Sequence, residues 1–514
     1  MDEKVKEVEA PPVKLLPNEF WWGGIVNHHS KMPFHAGVAH QGNLYNVEGN
    51  QACPLLVSSQ GRYFWSEQPF VFDFAGGEIR FSQAPGEIQL SSGHGDLRSA
   101  YLAACRDHFP PTGRTPAEIC FTRPQYNSWM DLMWEVTQEK VLHYARDILA
   151  SGMPPGVFMI DDNWYHHVGG WEFDLRRFPD PKGMIAQLHE MGFQVVVWLA
   201  PFICPDTYQY RLLNDAGMLL KRSNGKTWIF EWWDGFSALV DLTNEKTFKF
   251  LTDQLDRLVS EFKVDGFKFD AGEPWYFTGD VVPSKPATPH DLCELFARVG
   301  LRYSISEYRA CWKLGGQHLI QRTRDKRHEW GPDGMADVVP SALAQGLMGY
   351  PFNCPDMIGG GQMNSFYYKK LAFDPELYLR WAQAAAFFPI VQFSLLPSRM
   401  LKGQELEICM DMLRIRQEFT PRLLELVRHA AQTGEPILRH MAYIFPNEGL
   451  EQVNDQYMIG DDLLVAPVLE QAARTRTIRF PAGTWRGDDG STVKGPCAKT
   501  VDAPLARLPR YTRA

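Results

Sequence analysis

From about residue 120 the chain alternates compact apolar runs with helical stretches, and this alternation restricts the fold more than any other feature. The strand candidates are Gln125–Trp129, Gly156–Asp161, Gln194–Ala200, Gly266–Asp270, Arg302–Tyr308, Gly346–Phe352 and Ala386–Phe393. Helical stretches lie among them, at Gln138–Ala150 and Asn244–Phe262 for example. Runs this short and this apolar suit parallel strands buried on both faces. Seven of them over about 270 residues fit a (β/α)8 TIM barrel, whose usual length is about 250 residues. A doubly wound open sheet is the competing arrangement. It would gather polar residues at one switch point. Here polar residues or tryptophan close most of the runs at their C-terminal ends, as on the rim of a barrel.

The flanks have a different texture. Residues 17–118 show short alternating runs broken by Gly, Asn and Pro: Gly61-Arg-Tyr-Phe-Trp, Phe70-Val-Phe-Asp-Phe, Glu78-Ile-Arg-Phe and Glu87-Ile-Gln-Leu. Period-two alternation with frequent turns predicts an antiparallel, sandwich-like β domain. A helical stretch from Gly403 to Thr433 leads into further β-like runs at Gln456–Ile459, Asp462–Val468 and Arg476–Trp485. The expected organisation is an N-terminal β domain (1–118), a catalytic barrel (119–402), and a helical connection with a small C-terminal β domain (403–514).

Composition serves mainly to exclude. A net charge of -9 disfavours a nucleic-acid partner, since phosphate backbones are held by clustered Lys and Arg. The densest basic run, Arg322–Arg327, also contains Asp325 and reads as a solvated or internally paired loop. Nine cysteines without a C-x-x-C pair read as reduced thiols in a cytoplasmic protein. Met1–Pro12 reads as a frayed, charged lead-in rather than a signal peptide, although a chain already trimmed of its leader would look the same. No apolar run approaches the roughly 20 residues that span a bilayer, so no membrane partner is expected. A homo-oligomer remains open. Sixteen tryptophans fit either sugar-binding surfaces or a large core.

The chemistry rests on carboxylates. H-E-x-x-H, paired C-x-x-C and EF-hand patterns are missing, as are a P-loop and a G-x-S-x-G elbow, so neither metal nor cofactor is expected. Gly359-Gly-Gly-Gln reads as a flexible turn. Asp161, Asp162, Asp270, Asp333 and Asp356 fall at or just after strand or loop ends near Trp, Gly or Pro. Taken singly, each could be a cap or a loop aspartate. Together they suit glycosidic hydrolysis with retention, which needs two carboxyl groups roughly 5–5.5 Å apart.

From about residue 20 to its end the chain resembles glycoside hydrolase family 31, with the matching pieces in the family's order. They are Asp161-Asp-Asn-Trp164 with Phe178-Pro-Asp-Pro-Lys, Trp198-Leu-Ala-Pro-Phe, Trp233-Asp-Gly with Asp241-Leu-Thr-Asn, and Asp265-Gly-Phe-Lys-Phe-Asp-Ala-Gly-Glu273. Trp330-Gly-Pro-Asp333, Gly349-Tyr-Pro-Phe, Pro355-Asp-Met-Ile-Gly-Gly360, Gly434-Glu-Pro-Ile-Leu-Arg and Gly460-Asp-Asp-Leu-Leu-Val-Ala-Pro-Val follow. The resemblance implies an exo-acting retaining α-glycosidase with Asp270 as nucleophile and Asp333 as general acid/base. Lys268 would favour ionised Asp270, and burial beside Trp330 would keep a proton on Asp333. It also implies sugar contacts from Trp129, Trp233 and Trp330 as walls, and from Asp161, Asp162, Lys268, Arg309 and Asp356 to hydroxyls. Trp129 could equally be core, Asp356 could brace the pocket, and Arg322 rivals Arg309 as the sugar-binding arginine.

Two departures bear on substrate. Lys268 stands where the family's α-glucosidases usually have tryptophan, and Gln392-Phe-Ser394 where they have histidine. A lysine donates directionally where an indole packs. Both features are similar to the branch of α-galactosidases and myogenesis-regulating glycosidases, which implies α-galactosidase activity on a small-molecule α-glycoside or oligosaccharide. The alternatives are α-glucosidase, α-xylosidase, α-N-acetylgalactosaminidase, sulfoquinovosidase or transglycosylase, and, outside catalysis, a carbohydrate-binding pseudoenzyme.

Overall fold

A computed structural model describes residues 11–45 and 51–514; of the lead-in expected over Met1–Pro12, residues 1–10 lie outside them. Two four-stranded antiparallel sheets form the N-terminal domain. One comprises Val13–Lys14, Glu78–Ser82, Val71–Ala75 and His40–Asn43; the other comprises Trp21–Ile25, Ala52–Ser58, Tyr63–Ser66 and Ile88–Ser91. Aromatic side chains knit the sheets into the expected sandwich, with the Phe64 and Phe81 rings 4.8 Å apart.

The central sheet holds eight parallel strands: β1 (Gln125–Asn127), β2 (Val157–Ile160), β3 (Gln194–Leu199), β4 (Gly266–Phe269), β5 (Ile305–Tyr308), β6 (Ile320–Arg322), β7 (Asn353–Cys354) and β8 (Gln392–Phe393). They pair in sequence order from β1 to β7, and β8 pairs with β1. Met357, just beyond β7, bridges in parallel to Gln392, and Ile358 N–H donates to the Gln392 carbonyl at 2.8 Å, so the sheet nearly closes on itself. The barrel is therefore the correct alternative to the open sheet. Two expected strands are displaced. The apolar Gly346–Phe352 ends a helix and turns, and the strand follows it; most of Ala386–Phe393 is likewise helix end and turn before β8. Strand β6 sits at the start of the basic run and escaped the apolar pattern.

Under the rim the barrel interior is polar instead of the usual branched apolar layers. Gln392 Nε2 donates to Gln125 Oε1 at 2.7 Å and to Glu307 Oε2 at 2.8 Å, and Arg322 Nε lies 3.4 Å from Glu307 Oε1. Burial, partly offset by Arg322 and Lys268, pushes the Glu307 carboxyl up to about 7.

A 30-residue helix, Gln404–Thr433, packs back on the barrel. Its buried Arg416 donates to the carbonyls of Phe121, Ala386, Phe388 and Pro389, satisfying groups left over where helix ends turn into strands. The helix stops at Gly434 with φ 80°, and a six-stranded C-terminal sheet follows around Trp485, Phe480 and Tyr511. Arg380, on a barrel helix, donates to the Ala473 and Ala503 carbonyls and holds that sheet in place.

Candidate active site

Strands β1 to β6 each deliver a polar or aromatic residue, from their C-terminal ends or just beyond, to the same rim. Asp270 follows β4 directly, and the chain then turns through Ala271 (φ 55°) and Gly272 (φ 78°). A Cβ on Gly272 would lie 2.5 Å from Phe296, so the turn requires glycine there. The turn aims the Asp270 carboxylate inward. Its Oδ2 accepts from Trp198 Nε1 at 2.9 Å, its Oδ1 accepts from the Ala271 N–H at 2.9 Å, and Arg309 Nε lies 3.2 Å from Oδ1. Burial alone would raise its pKa, but Arg309, Lys268 and Arg322 outweigh it and hold the carboxyl well below the usual range. Asp270 is an ionised, oriented, buried carboxylate, as a nucleophile must be.

Around it Trp129, Asp161, Asp162, Trp198, Trp233, Lys268, Arg309, Asp325, Gln362 and Met363 enclose a cavity of about 220 Å³. Of the residues expected from sequence, Asp270, Trp129, Asp161, Asp162, Trp233, Lys268 and Arg309 come together there. Trp129 is a wall, anchored by Nε1 on the Gly361 carbonyl at 3.0 Å. Lys268 Nζ bonds Asp161 Oδ2 at 2.6 Å with both side chains buried. Asp162 accepts from the Tyr165 hydroxyl, and burial together with the nearby Asp234 carboxylate pushes it up to about 7.

Asp333, Trp330 and Asp356 lie outside that lining. Asp333 is 44% exposed and clamps its own loop, with Oδ1 3.0 Å from Arg324 NH2 and Oδ2 3.2 Å from Arg327 NH1. Trp330 turns its Nε1 to Asp374 Oδ2 at 2.9 Å, so it neither walls the cavity nor buries Asp333. Asp356 is a fully buried brace that accepts from Lys326 N–H, Gly361 N–H and Arg322 NH1. Between the rival arginines, Arg309 lines the cavity while Arg322 lies buried beneath it, bonded to Asp356 and Asp325. Gln392 belongs to the polar barrel floor and Ser394 Oγ accepts the Met130 N–H at 2.7 Å, so neither lines the cavity.

Asp325 is the carboxylate that sequence reasoning passed over. It follows β6 and shares Trp233, Arg309 and Gln362 between the inner cavity and an outer one of about 530 Å³, whose walls add Asn27, Trp232, Glu273, Trp275, Tyr276 and Arg324. Arg309 joins the two carboxylates: its Nε is 3.2 Å from Asp270 and its NH1 4.0 Å from Asp325, while Glu273 holds the same guanidinium at 2.7 Å. Trp198, also missed as a site residue, was visible as the polar-tipped end of β3.

Comparison with known proteins agrees with the barrel and with the C-terminal sheet domain. Residues 123–425 match the glycosyl hydrolases family 31 TIM-barrel domain, and residues 434–514 match the family 31 C-terminal domain. The chain is 30% identical over 419 residues to the myogenesis-regulating glycosidase of Mus musculus, covering 80% of this chain and 58% of that protein. It is 29% identical over 498 residues to an α-xylosidase of Emericella nidulans, covering 83% and 59%. It thus spans under two thirds of the length of these curated relatives. A family 31 dextranase of Flavobacterium johnsoniae, solved with glucose, superposes with TM-score 0.85 at 20% identity, covering 99% of this chain and 66% of that one. With the two family domains together accounting for most of its length, the chain belongs to glycoside hydrolase family 31.

Proposed function

We propose that the chain is a retaining, exo-acting α-glycoside hydrolase in which Asp270 is the nucleophile and Asp325, in place of Asp333, is the general acid/base. The observation that carries this is the pairing of an ionised Asp270 inside the inner cavity with Asp325 at the border between the two cavities. A sugar ring in the inner cavity with its leaving group in the outer one has its glycosidic oxygen at that border. Asp270 attacks the anomeric carbon, the carbon–oxygen bond breaks, and the Asp325 proton goes to the departing oxygen. Water, deprotonated by Asp325, then cleaves the glycosyl ester and restores both carboxyl groups. The small inner cavity supports removal of one terminal sugar at a time.

Galactose is the sugar we favour. The Asp161–Lys268 pair gives the cavity floor directional donors and acceptors where an indole would only pack, which suits discrimination of one hydroxyl's orientation. A panel of p-nitrophenyl α-glycosides tests the choice: the α-galactoside should turn over with the highest kcat/KM, and a strong preference for the glucoside or xyloside overturns it. Asp270→Asn should lose at least about 10³-fold in kcat, and unchanged turnover would remove the mechanism whatever the sugar.

A further inference from the structure

The segment carrying Asp325 is fastened on both sides of that residue to a single buried carboxylate, Asp337. Arg324 Nε donates to Asp337 Oδ2 at 3.2 Å, and Lys326 Nζ lies 3.6 Å from the same oxygen. Lys326 and Asp337 are both fully buried. The backbone beside Asp325 is fixed as well, since Lys326 N–H donates to Asp356 Oδ2 at 2.8 Å. Gly360 packs against the Lys326 carbonyl so closely that a Cβ there would lie 2.5 Å from it. With its two neighbours held, the Asp325 side chain faces the cavities, with the cations Arg322 and Arg309 set against it and the buried Asp356 carboxylate close enough to interact.

The other oxygen of Asp337 is held from a different domain. His29 Nε2, in the turn Val26–Lys31 that follows the second N-terminal strand, lies 2.5 Å from Asp337 Oδ1, and the histidine is itself buried. The imidazole edge is thus set directly against the Asp337 carboxylate. Burial would raise the Asp337 pKa, yet Lys326, His29 and Arg324 together hold it well below the usual carboxylate range. An ionised buried carboxylate whose partners have fixed positions is a rigid anchor, and removing one partner leaves charge without compensation.

Resting on the reading of Asp325 as acid/base, we infer that His29 is a positioning residue for general acid catalysis: through Asp337 it sets the Arg324–Lys326 segment, and with it the Asp325 carboxyl, against the leaving oxygen. The N-terminal domain would then tune proton donation without touching substrate through this residue. Displacements near 1 Å at a reacting group can cost about 10²-fold. That loss should fall only on substrates whose leaving group needs the proton.

The test compares two leaving groups on the sugar preferred in the panel, an α-glycosyl fluoride, whose fluoride departs without a proton, and the methyl α-glycoside, whose alkoxide needs one. In His29→Ala, kcat/KM for the methyl glycoside should fall roughly 10- to 100-fold while that for the fluoride changes less than about 3-fold. His29→Gln, which offers an amide N–H to Asp337, should recover most of the loss. Because the ratio of the two substrates is read within one preparation, a reduced folded fraction cancels. Equal losses on both substrates, or none on either, overturn the positioning role. Asp325→Ala serves as the reference: if it shows no split, the acid/base reading itself fails, whereas a split in Asp325→Ala without one in His29→Ala refutes only the part assigned to His29.

Discussion

Lys268 changes meaning once its partner is known, and Lys268→Met tests that change. In sequence it reads as a donor to sugar. In the structure its ammonium is buried and 2.6 Å from Asp161 Oδ2, so its first task is to neutralise a carboxylate on the cavity floor. At that distance, with an effective dielectric of about 20, the gross attraction is about 6 kcal/mol. Desolvation of both ions offsets much of it, but removing one partner leaves the other buried and unpaired, which typically costs about 3–5 kcal/mol. With about 2.1 cal/mol/K of unfolding entropy per residue, a barrel of roughly 300 residues shifts about 1.5 °C per kcal/mol, so Lys268→Met should lower the thermal midpoint by roughly 5–8 °C. Lys268→Met/Asp161→Asn should recover more than half of that, with a coupling energy of at least about 2 kcal/mol from the double-mutant cycle. Circular dichroism melts of the four proteins at one scan rate supply the comparison, since a chain of this size need not unfold reversibly. A shift under about 1 °C, or singles that simply add in the double variant, would refute the ion-pair account. The same variant has a kinetic signature. Lys268 is one of the cations that depress the Asp270 pKa, so its loss raises that pKa and moves the acid limb of kcat/KM to higher pH.

Asp162 and Asp333 give two further expectations. Asp162 is pushed up to about 7, so between the unfolded carboxyl pKa near 4 and pH 7 the folded state binds more protons and stability falls as pH rises. Asp162→Asn removes a contribution of at most on the order of 4 kcal/mol but leaves that of Glu307, which is also pushed up to about 7, so the drop in melting midpoint from pH 5 to pH 8 should shrink; an unchanged drop would contradict the burial argument. Asp333→Ala breaks exposed pairs with Arg324 and Arg327, each worth about 0–1 kcal/mol, and should lower kcat at most several-fold, against 10²-fold or more for Asp325→Ala on a substrate whose leaving group needs protonation. Reversal of that order would return the acid/base role to Asp333.

Where the fold was legible, burial and periodicity said the same thing. Strands β2 to β4 are buried along nearly their whole length, so their apolar runs mark them directly, and helix Gln138–Ala150 has both its periodic face and its cap in Thr137. The signal failed where the barrel interior is polar. Strand β6 carries Arg322 into the interior, where it is paired with Glu307 and Asp356, while its neighbour Gln321 points to the opposite face, so a fully buried strand reads as a hydrophilic one. The apolar run Gly346–Phe352 had the opposite fault: its residues are buried because a helix ends against the core, and burial alone does not distinguish helix from strand over so few residues.

The same blindness to partners hid Asp325. Counted along the chain, Arg322 to Arg327 is a basic cluster in which one aspartate reads as internal compensation. In space Arg324, Lys326 and Arg327 find carboxylates elsewhere, at Asp337 and Asp333, and Arg322 is shared among Glu307, Asp356 and Asp325. Asp325 is thereby left at the cavity border beside an ionised Asp270. Asp333, which has the tryptophan-glycine context that resembles the family's acid/base segment, is drawn outward by the two arginines it clamps. Local motif and charge count therefore choose Asp333, while the long-range pairing of every neighbouring charge chooses Asp325, and only the second depends on contacts made across three separate segments. Proton donation depends on where the carboxyl stands relative to the leaving oxygen, so the long-range pairing should decide it.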